Sequence, residues 1–207
     1  MNKLYFYYGA MGSSKTAQAL MCRFNYMQKG FNVFLFKPVI DRRTIKDGKA
    51  IVGSRIGLSA QAIEFDELDD FKTLANLYKI DQNFERNVII IDECQFLTRS
   101  QVEELKLLSF HLPVLCYGLL TNYKTELFEG SKRLVEIADK IQEIKSVCDC
   151  GRKATVNARI INGKIAQSGE EILIGGDGVY QSICYKCYYK KLHSQDNGDK
   201  PNQILNF

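Results

Sequence analysis

The apolar positions of this chain fall into short continuous runs separated by stretches of helical spacing. Leu4-Tyr5-Phe6-Tyr7-Tyr8, Val33-Phe34-Leu35-Phe36, Val88-Ile89-Ile90-Ile91 and Val114-Leu115-Cys116-Tyr117 carry no charge. They are too short for helices and apolar throughout, as strands buried on both faces are. Between them, residues 14–29 place Ala17, Leu20, Met21, Phe24 and Met27 at helical spacing, and Gly30 follows as a helix stop. Residues 66–78 do the same with Leu68, Phe71, Leu74, Ala75 and Tyr78. A third helix is predicted over 98–108, with Thr98 as cap and Gln101 three residues on, and a short fourth carries Leu134, Val135 and Ala138. Ala62-Ile63-Glu64-Phe65 reads as a further strand, and Ile141, Ile144 and Val147 as an imperfect edge strand. Strand-helix-strand order implies parallel pairing through right-handed crossovers, an α/β architecture.

Residues 38–62 interrupt that rhythm. They are polar and turn-rich, with Asp41, Arg42, Arg43, a Lys46-Asp47-Gly48-Lys49 turn and Ser54-Arg55-Ile56-Gly57-Leu58-Ser59. So long a connection is either a solvated excursion or a functional loop. Arginines in it, Arg55 among them, could stabilise charge on a transferring phosphoryl group.

Composition narrows the class. With 45% hydrophobic and 25% charged residues over 207 positions, the chain reads as one soluble globular domain with room for a small appended module. No apolar run approaches the ~20 residues of a membrane span. Met1-Asn2-Lys3 leads straight into a strand without a secretory signal, so the cytoplasm is the expected compartment. The net charge of +4 is divided equally between residues 1–145 and 146–207, which argues against nucleic acid as an obligatory partner.

The chemistry begins after the first strand, at Gly9-Ala10-Met11-Gly12-Ser13-Ser14-Lys15-Thr16. Strand, tight glycine-bearing loop and helix make a phosphate-binding loop. Successive backbone N–H groups and a helix N-terminus face the phosphates, the lysine adds charge and the hydroxyl helps hold Mg²⁺. Lys15 and Thr16 suit the last two roles. Ser14 stands where the consensus has glycine, and alone the motif leaves a non-binding Gly/Ser turn equally open. The second half of the pattern is Asp92-Glu93 at the end of the 88–91 run. Paired carboxylates on so apolar a strand have little structural reason to be there, because burying charge without a cation or hydrogen bonds is costly. Asp92 is assigned to the metal with Thr16, and Glu93, on the other side of the strand end, is free to act as general base.

Of seven cysteines, Cys22, Cys94 and Cys116 sit singly in apolar stretches as small core residues. Cys148-Asp149-Cys150 and Cys184-Tyr185-Lys186-Cys187 are different: two short-spaced pairs flank a hairpin-sized insert. That pattern favours a tetrahedral Zn²⁺ site over a redox pair, and four sulfurs leave no open position, so the metal is expected to be structural. The insert reads as a hairpin, 154–165, followed by a glycine-rich loop, 168–180. Residues 193–207 are polar and aperiodic and are expected to form a disordered tail.

Together these pieces resemble the zinc-containing, cytosolic-type (type II) thymidine kinases, over nearly the whole chain. The specific elements are the Ala10-Met11 loop with Lys15-Thr16, Ser54 to Ser59, Asp92-Glu93-Cys94-Gln95-Phe96, Cys116-Tyr117-Gly118-Leu119, Gly175-Gly176 with Tyr180, and the four cysteines. The resemblance implies a phosphate-loop (RecA-like) parallel sheet over 1–146 and a small zinc-ribbon domain over 147–192 carrying a lasso loop. It implies transfer of the γ-phosphate of ATP, with Mg²⁺, to the 5′-hydroxyl of thymidine, giving dTMP in nucleotide salvage; deoxyuridine stays open as an acceptor. Glu93 matches the family's base. Gly9 to Thr16 and Asp92 to Gln95 match ATP-binding positions, and Asp41 and Arg43 lie near the phosphates. The nucleoside would meet Met11, Phe96, Leu119 and Tyr123, with Ile174, Gly175 and Gly176 reading the base and Tyr180 near the sugar. A homotetramer is implied, and feedback by dTTP is left open. The competing readings are a phosphate-loop ATPase, for which the chain lacks room for a second lobe, and a zinc-ribbon protein with an inactive nucleotide site.

Overall fold

A computed structural model describes residues 2–41, 45–46, 49–82, 84–169 and 179–196. In chain order its elements are β1 (Leu4–Tyr8), α1 (Lys15–Gln28), β2 (Asn32–Pro38), β3 (Ile45–Lys46), β4 (Lys49–Gly53), β5 (Ser59–Gln61), β6 (Ile63–Phe65) and α2 (Phe71–Leu77). They continue with β7 (Asn87–Ile91), α3 (Arg99–Leu108), β8 (Val114–Gly118), α4 (Glu129–Ile137), β9 (Lys140–Glu143), β10 (Ser146–Val147), β11 (Lys153–Ala154), β12 (Val156–Ile161), β13 (Lys164–Ile165), β14 (Tyr180–Ile183) and α5 (Tyr185–Asp196).

Six strands form one sheet in the order β6-β2-β7-β8-β1-β9, and every pairing in it is parallel. The central strands are apolar because both faces are covered. Ile89 and Ile91 point into a core with Phe6, Phe36, Phe71, Val102 and Leu134, under α2, α3 and α4. Val88 and Ile90 point the other way, to Ala19, Leu20, Leu35 and Tyr117 under α1. A third cluster, Cys148, Ala154, Val156, Ala158, Ile183, Cys184 and Tyr188, fills the small C-terminal module of β10–β14 and α5.

The α3 start is built as expected. Thr98 Oγ1 accepts from Gln101 N at 3.2 Å while Gln101 Oε1 accepts from Thr98 N at 3.0 Å, a reciprocal cap. The buried Gln101 also donates to the carbonyls of Asp66 and Asp69, at 2.6 and 2.9 Å, which ties the turn before α2 to α3.

Several expectations change. Met21, Phe24 and Met27 do not face the core: they are 47%, 59% and 47% exposed. Helix α1 packs instead through Ala19, Leu20, Cys22 and Tyr26, and the side bearing Met21, Phe24 and Met27 faces outward. The second helix is shorter than its periodicity suggests. Asp70 caps it by accepting from Thr73 N, and Leu68 lies outside it, 88% exposed. The polar 38–62 connection contains paired strands, β3-β4-β5, with Val52 buried against the α1 core. The segment from His193 starts inside α5, which runs to Asp196, and residues 197–207 lie outside the described residues.

Candidate active site

The parallel order sets the site. Strands β1 and β7 flank β8, so the loop after β1 and the acidic pair after β7 emerge at the same edge of the sheet. There the Thr16 hydroxyl lies 3.1 and 3.3 Å from the two Asp92 carboxylate oxygens, joining residues 76 positions apart. Asp92 is 4% exposed, and burial, reinforced by the Glu93 charge, pushes its carboxyl up to about 7 even though Thr16 and Lys15 oppose the shift. A buried carboxylate that is costly to ionise, beside a hydroxyl, offers oxygen ligands suited to a divalent cation.

Lys15 is itself buried, and its ammonium donates to the carbonyls of Gly9 and Ala10, each at 3.0 Å. Gly9 must be glycine: a Cβ there would stand 2.2 Å from the Ile144 carbonyl. Gly12 and Ser14 both have left-handed backbones, with φ of 72° and 65°. Position 14 therefore demands what glycine supplies freely, and serine adopts it at a cost. The Arg55 guanidinium reaches this loop, 3.8 Å from where a Cβ on Gly12 would be. Asp41 pairs with Lys37 at 3.6 Å, and Arg43 lies outside the described residues.

Glu93 also has a left-handed backbone, φ 52°. Such strain at a non-glycine residue is concentrated at functional positions. Its carboxylate accepts from Gln95 Nε2 at 2.7 Å, and Gln95 Oε1 in turn accepts from Leu119 N at 3.0 Å. The buried amide thus links the acidic pair to the end of β8. Gly118 makes room for it, since a Cβ there would stand 2.6 Å from Gln95 Oε1 and from Cys94 Sγ. The Cys94 thiol is in the core, where burial raises it well above its ordinary value.

On the expected nucleoside side, Tyr123, Tyr180 and the sequence-silent Arg159 converge. The buried Arg159 guanidinium lies 3.8 Å from the Tyr123 ring centre and donates to the Tyr180 hydroxyl at 2.6 and 3.0 Å. Tyr123 donates to the Gly169 carbonyl at 2.9 Å, anchoring the start of the glycine-rich segment. Phe96 packs edge-on against Phe128, with centres 6.0 Å apart. Met11 lies in the phosphate loop, and Leu119 beside Gln95. Ile174, Gly175 and Gly176 lie outside the described residues.

The sulfurs of Cys148, Cys150, Cys184 and Cys187 all lie within 4.8 Å of one another. Gly151, at φ 81°, closes the turn under the first pair, while the second pair straddles the first turn of α5. Backbone hydrogen bonding from Arg152 leads the causes that lower Cys150 to about 6, so a thiolate forms readily in the cluster.

Sequence reasoning passed over Lys37, Asn157 and Arg159, all buried polar residues. Lys37 stands one residue past the Val33–Phe36 run, inside β2. The signal for all three is polarity inside a strand, which has no meaning until the partners are known.

A sequence model of the family described as "Thymidine kinase" matches residues 2–188. The chain is 44% identical over 197 residues to a thymidine kinase of Zymomonas mobilis, covering 94% of this chain and all of that protein. It is 42% identical over 194 residues to one of Legionella pneumophila, covering 92% and 90%. A thymidine kinase of Vibrio vulnificus is 41% identical over 199 residues, covering 93% and 99%. On this evidence the chain belongs to the thymidine kinase family.

Proposed function

We propose that this protein is a thymidine kinase, transferring the γ-phosphoryl group of ATP to the 5′-hydroxyl of thymidine. The observation that carries the reading is the Thr16–Asp92 contact, which sets the phosphate loop against a strand end bearing a second carboxylate, Glu93. In the transfer, the bond between the γ-phosphorus and the β–γ bridging oxygen breaks as the 5′ oxygen bonds to that phosphorus. The hydroxyl proton passes to Glu93. Gln95 holds that carboxylate from one side and so limits its rotation.

Thr16 and Asp92 would hold Mg²⁺, which supplies charge neutralisation on the phosphates. Lys15 leaves the loop carbonyls to meet the phosphates, and Arg55 approaches from the hairpin between β4 and β5. On the acceptor side, Tyr123, Phe96, Leu119 and Met11 supply apolar surface for the base. Tyr180, braced by Arg159, is set for the sugar, and Ile174, Gly175 and Gly176 are the residues assigned to the base. The four cysteines suit one structural Zn²⁺, since sulfurs so close would otherwise sit as an unlinked thiol cluster.

The two-part division at about residue 146 is supported by hydrophobic clusters that fall on either side of it, with Ala10 of the phosphate loop joining the C-terminal one. The outward Met21, Phe24 and Met27 face of α1 supports association between copies, consistent with a homotetramer. Among the described residues no helix is long and apolar enough to cross a membrane.

Three outcomes are expected. Labelled phosphate should pass from ATP to thymidine in preference to other nucleosides, and Glu93→Gln should lower kcat by about 10²–10⁴-fold; thymidine turnover at the wild-type rate in that variant would remove Glu93 from the chemistry. Ser14→Gly should relieve the left-handed strain, raising stability by about 0.5–1 kcal/mol and lowering the Michaelis constant for ATP. Unchanged values for both would show that serine is harmless there. Elemental analysis of freshly purified protein should find about one zinc per chain, reduced in Cys148→Ser. A content far below that would defeat the four-thiolate assignment.

A further inference from the structure

The cysteine module does more than stand beside the phosphate loop. Its buried Asn157, on β12, accepts from Met11 N through Oδ1 at 2.8 Å and donates from Nδ2 to the Thr121 carbonyl at 3.2 Å. Ser182 on β14, the register partner of Asn157, donates from Oγ to the Met11 carbonyl at 2.5 Å. Both polar groups of one loop residue are thus held by facing positions on one antiparallel pair.

One further contact binds the same half of the loop to the module. Ala10 is a member of the module's own hydrophobic cluster, buried with Cys148, Cys184, Val156 and Ile183. Gly9, just before it, stays with the sheet, donating to the Gly118 carbonyl and lying so close to the Ile144 carbonyl that no side chain fits between them. Residues 10 and 11 therefore pack with the cysteine module, while residues 15 and 16 belong to α1.

We propose that Asn157 and Ser182 are positioning residues for the nucleoside triphosphate: by fixing the Met11 peptide groups they set the curvature of the loop. The cysteine-pinned strands then govern the donor half of the reaction as well as the acceptor half. The physical reason is rigidity. A phosphate loop binds by presenting several N–H groups at once, and a loop free to relax at Met11 loses that convergence. The carbonyls of Gly9 and Ala10, which receive Lys15, lie in the same segment, so the resting place of the lysine depends on the same clamp. This inference rests on reading the loop as the ATP site.

The test uses the full chain with Ser182→Ala, Ser182→Thr and Asn157→Ala. ATP affinity is read by direct titration without nucleoside, and Michaelis constants are measured for both substrates. Removing one hydrogen bond to Met11 in Ser182→Ala should weaken ATP binding about three- to tenfold. The Michaelis constant for thymidine, whose base Met11 also faces, should rise less than that for ATP, and Ser182→Thr, which keeps the hydroxyl, should restore ATP binding. Asn157→Ala should weaken ATP binding further. Folded Ser182→Ala protein with wild-type ATP affinity, or with both Michaelis constants raised equally, would overturn the proposal. Wild-type protein that neither binds ATP nor phosphorylates a nucleoside would instead sink the functional reading beneath it.

Discussion

The structure depends on one juxtaposition: the Thr16 hydroxyl against the buried Asp92 carboxylate. Neither residue does anything by itself. Thr16 opens a helix and Asp92 ends a strand, and it is the β7-β8-β1 order that places both at one edge of the sheet. Parallel pairing demands crossovers, crossovers put helices on both faces, and covered faces demand the apolar runs seen in the sequence. The same apolar surroundings make Asp92 costly to ionise, and a site with that cost is suited to a cation.

Around this contact the rest is held in place by buried polar bridges. Gln95 joins Glu93 to the end of β8, through a gap that only a glycine at 118 leaves open. Asn157 joins the phosphate loop to the β8–α4 connection, and Arg159 joins Tyr123 to Tyr180. Each is a satisfied polar group in a region poor in water, where an unmade hydrogen bond would be expensive. Such bridges fix geometry more than they add stability. Phosphoryl transfer, with little covalent work for the protein to do, depends on that geometry.

Much of this was legible in the sequence because it is local. The four apolar strands, the Thr98–Gln101 cap, the phosphate loop, the acidic pair and the cysteine spacing each announce themselves within a few residues. What was not legible is set by distant partners. The outward turn of Met21, Phe24 and Met27 reverses an ordinary amphipathic reading, because the helix meets the sheet through Ala19, Leu20, Cys22 and Tyr26 instead. The β4–β5 pairing hides in a polar stretch, anchored by the buried Val52. Asn157 and Arg159 look like the polar side of a hairpin until their neighbours are known. Ser14 looked like a departure from pattern, and the backbone gives it a physical meaning: the loop keeps the left-handed turn that glycine makes easily.

The central claim is that Asp92 and the phosphate loop form one metal-nucleotide site. Calorimetric titration of ATP into wild-type protein and into Asp92→Asn, each with and without Mg²⁺, tests it most directly. The account predicts that Mg²⁺ tightens ATP binding to the wild-type protein at least about tenfold and tightens binding to Asp92→Asn far less. An equal gain from Mg²⁺ in both proteins would contradict it.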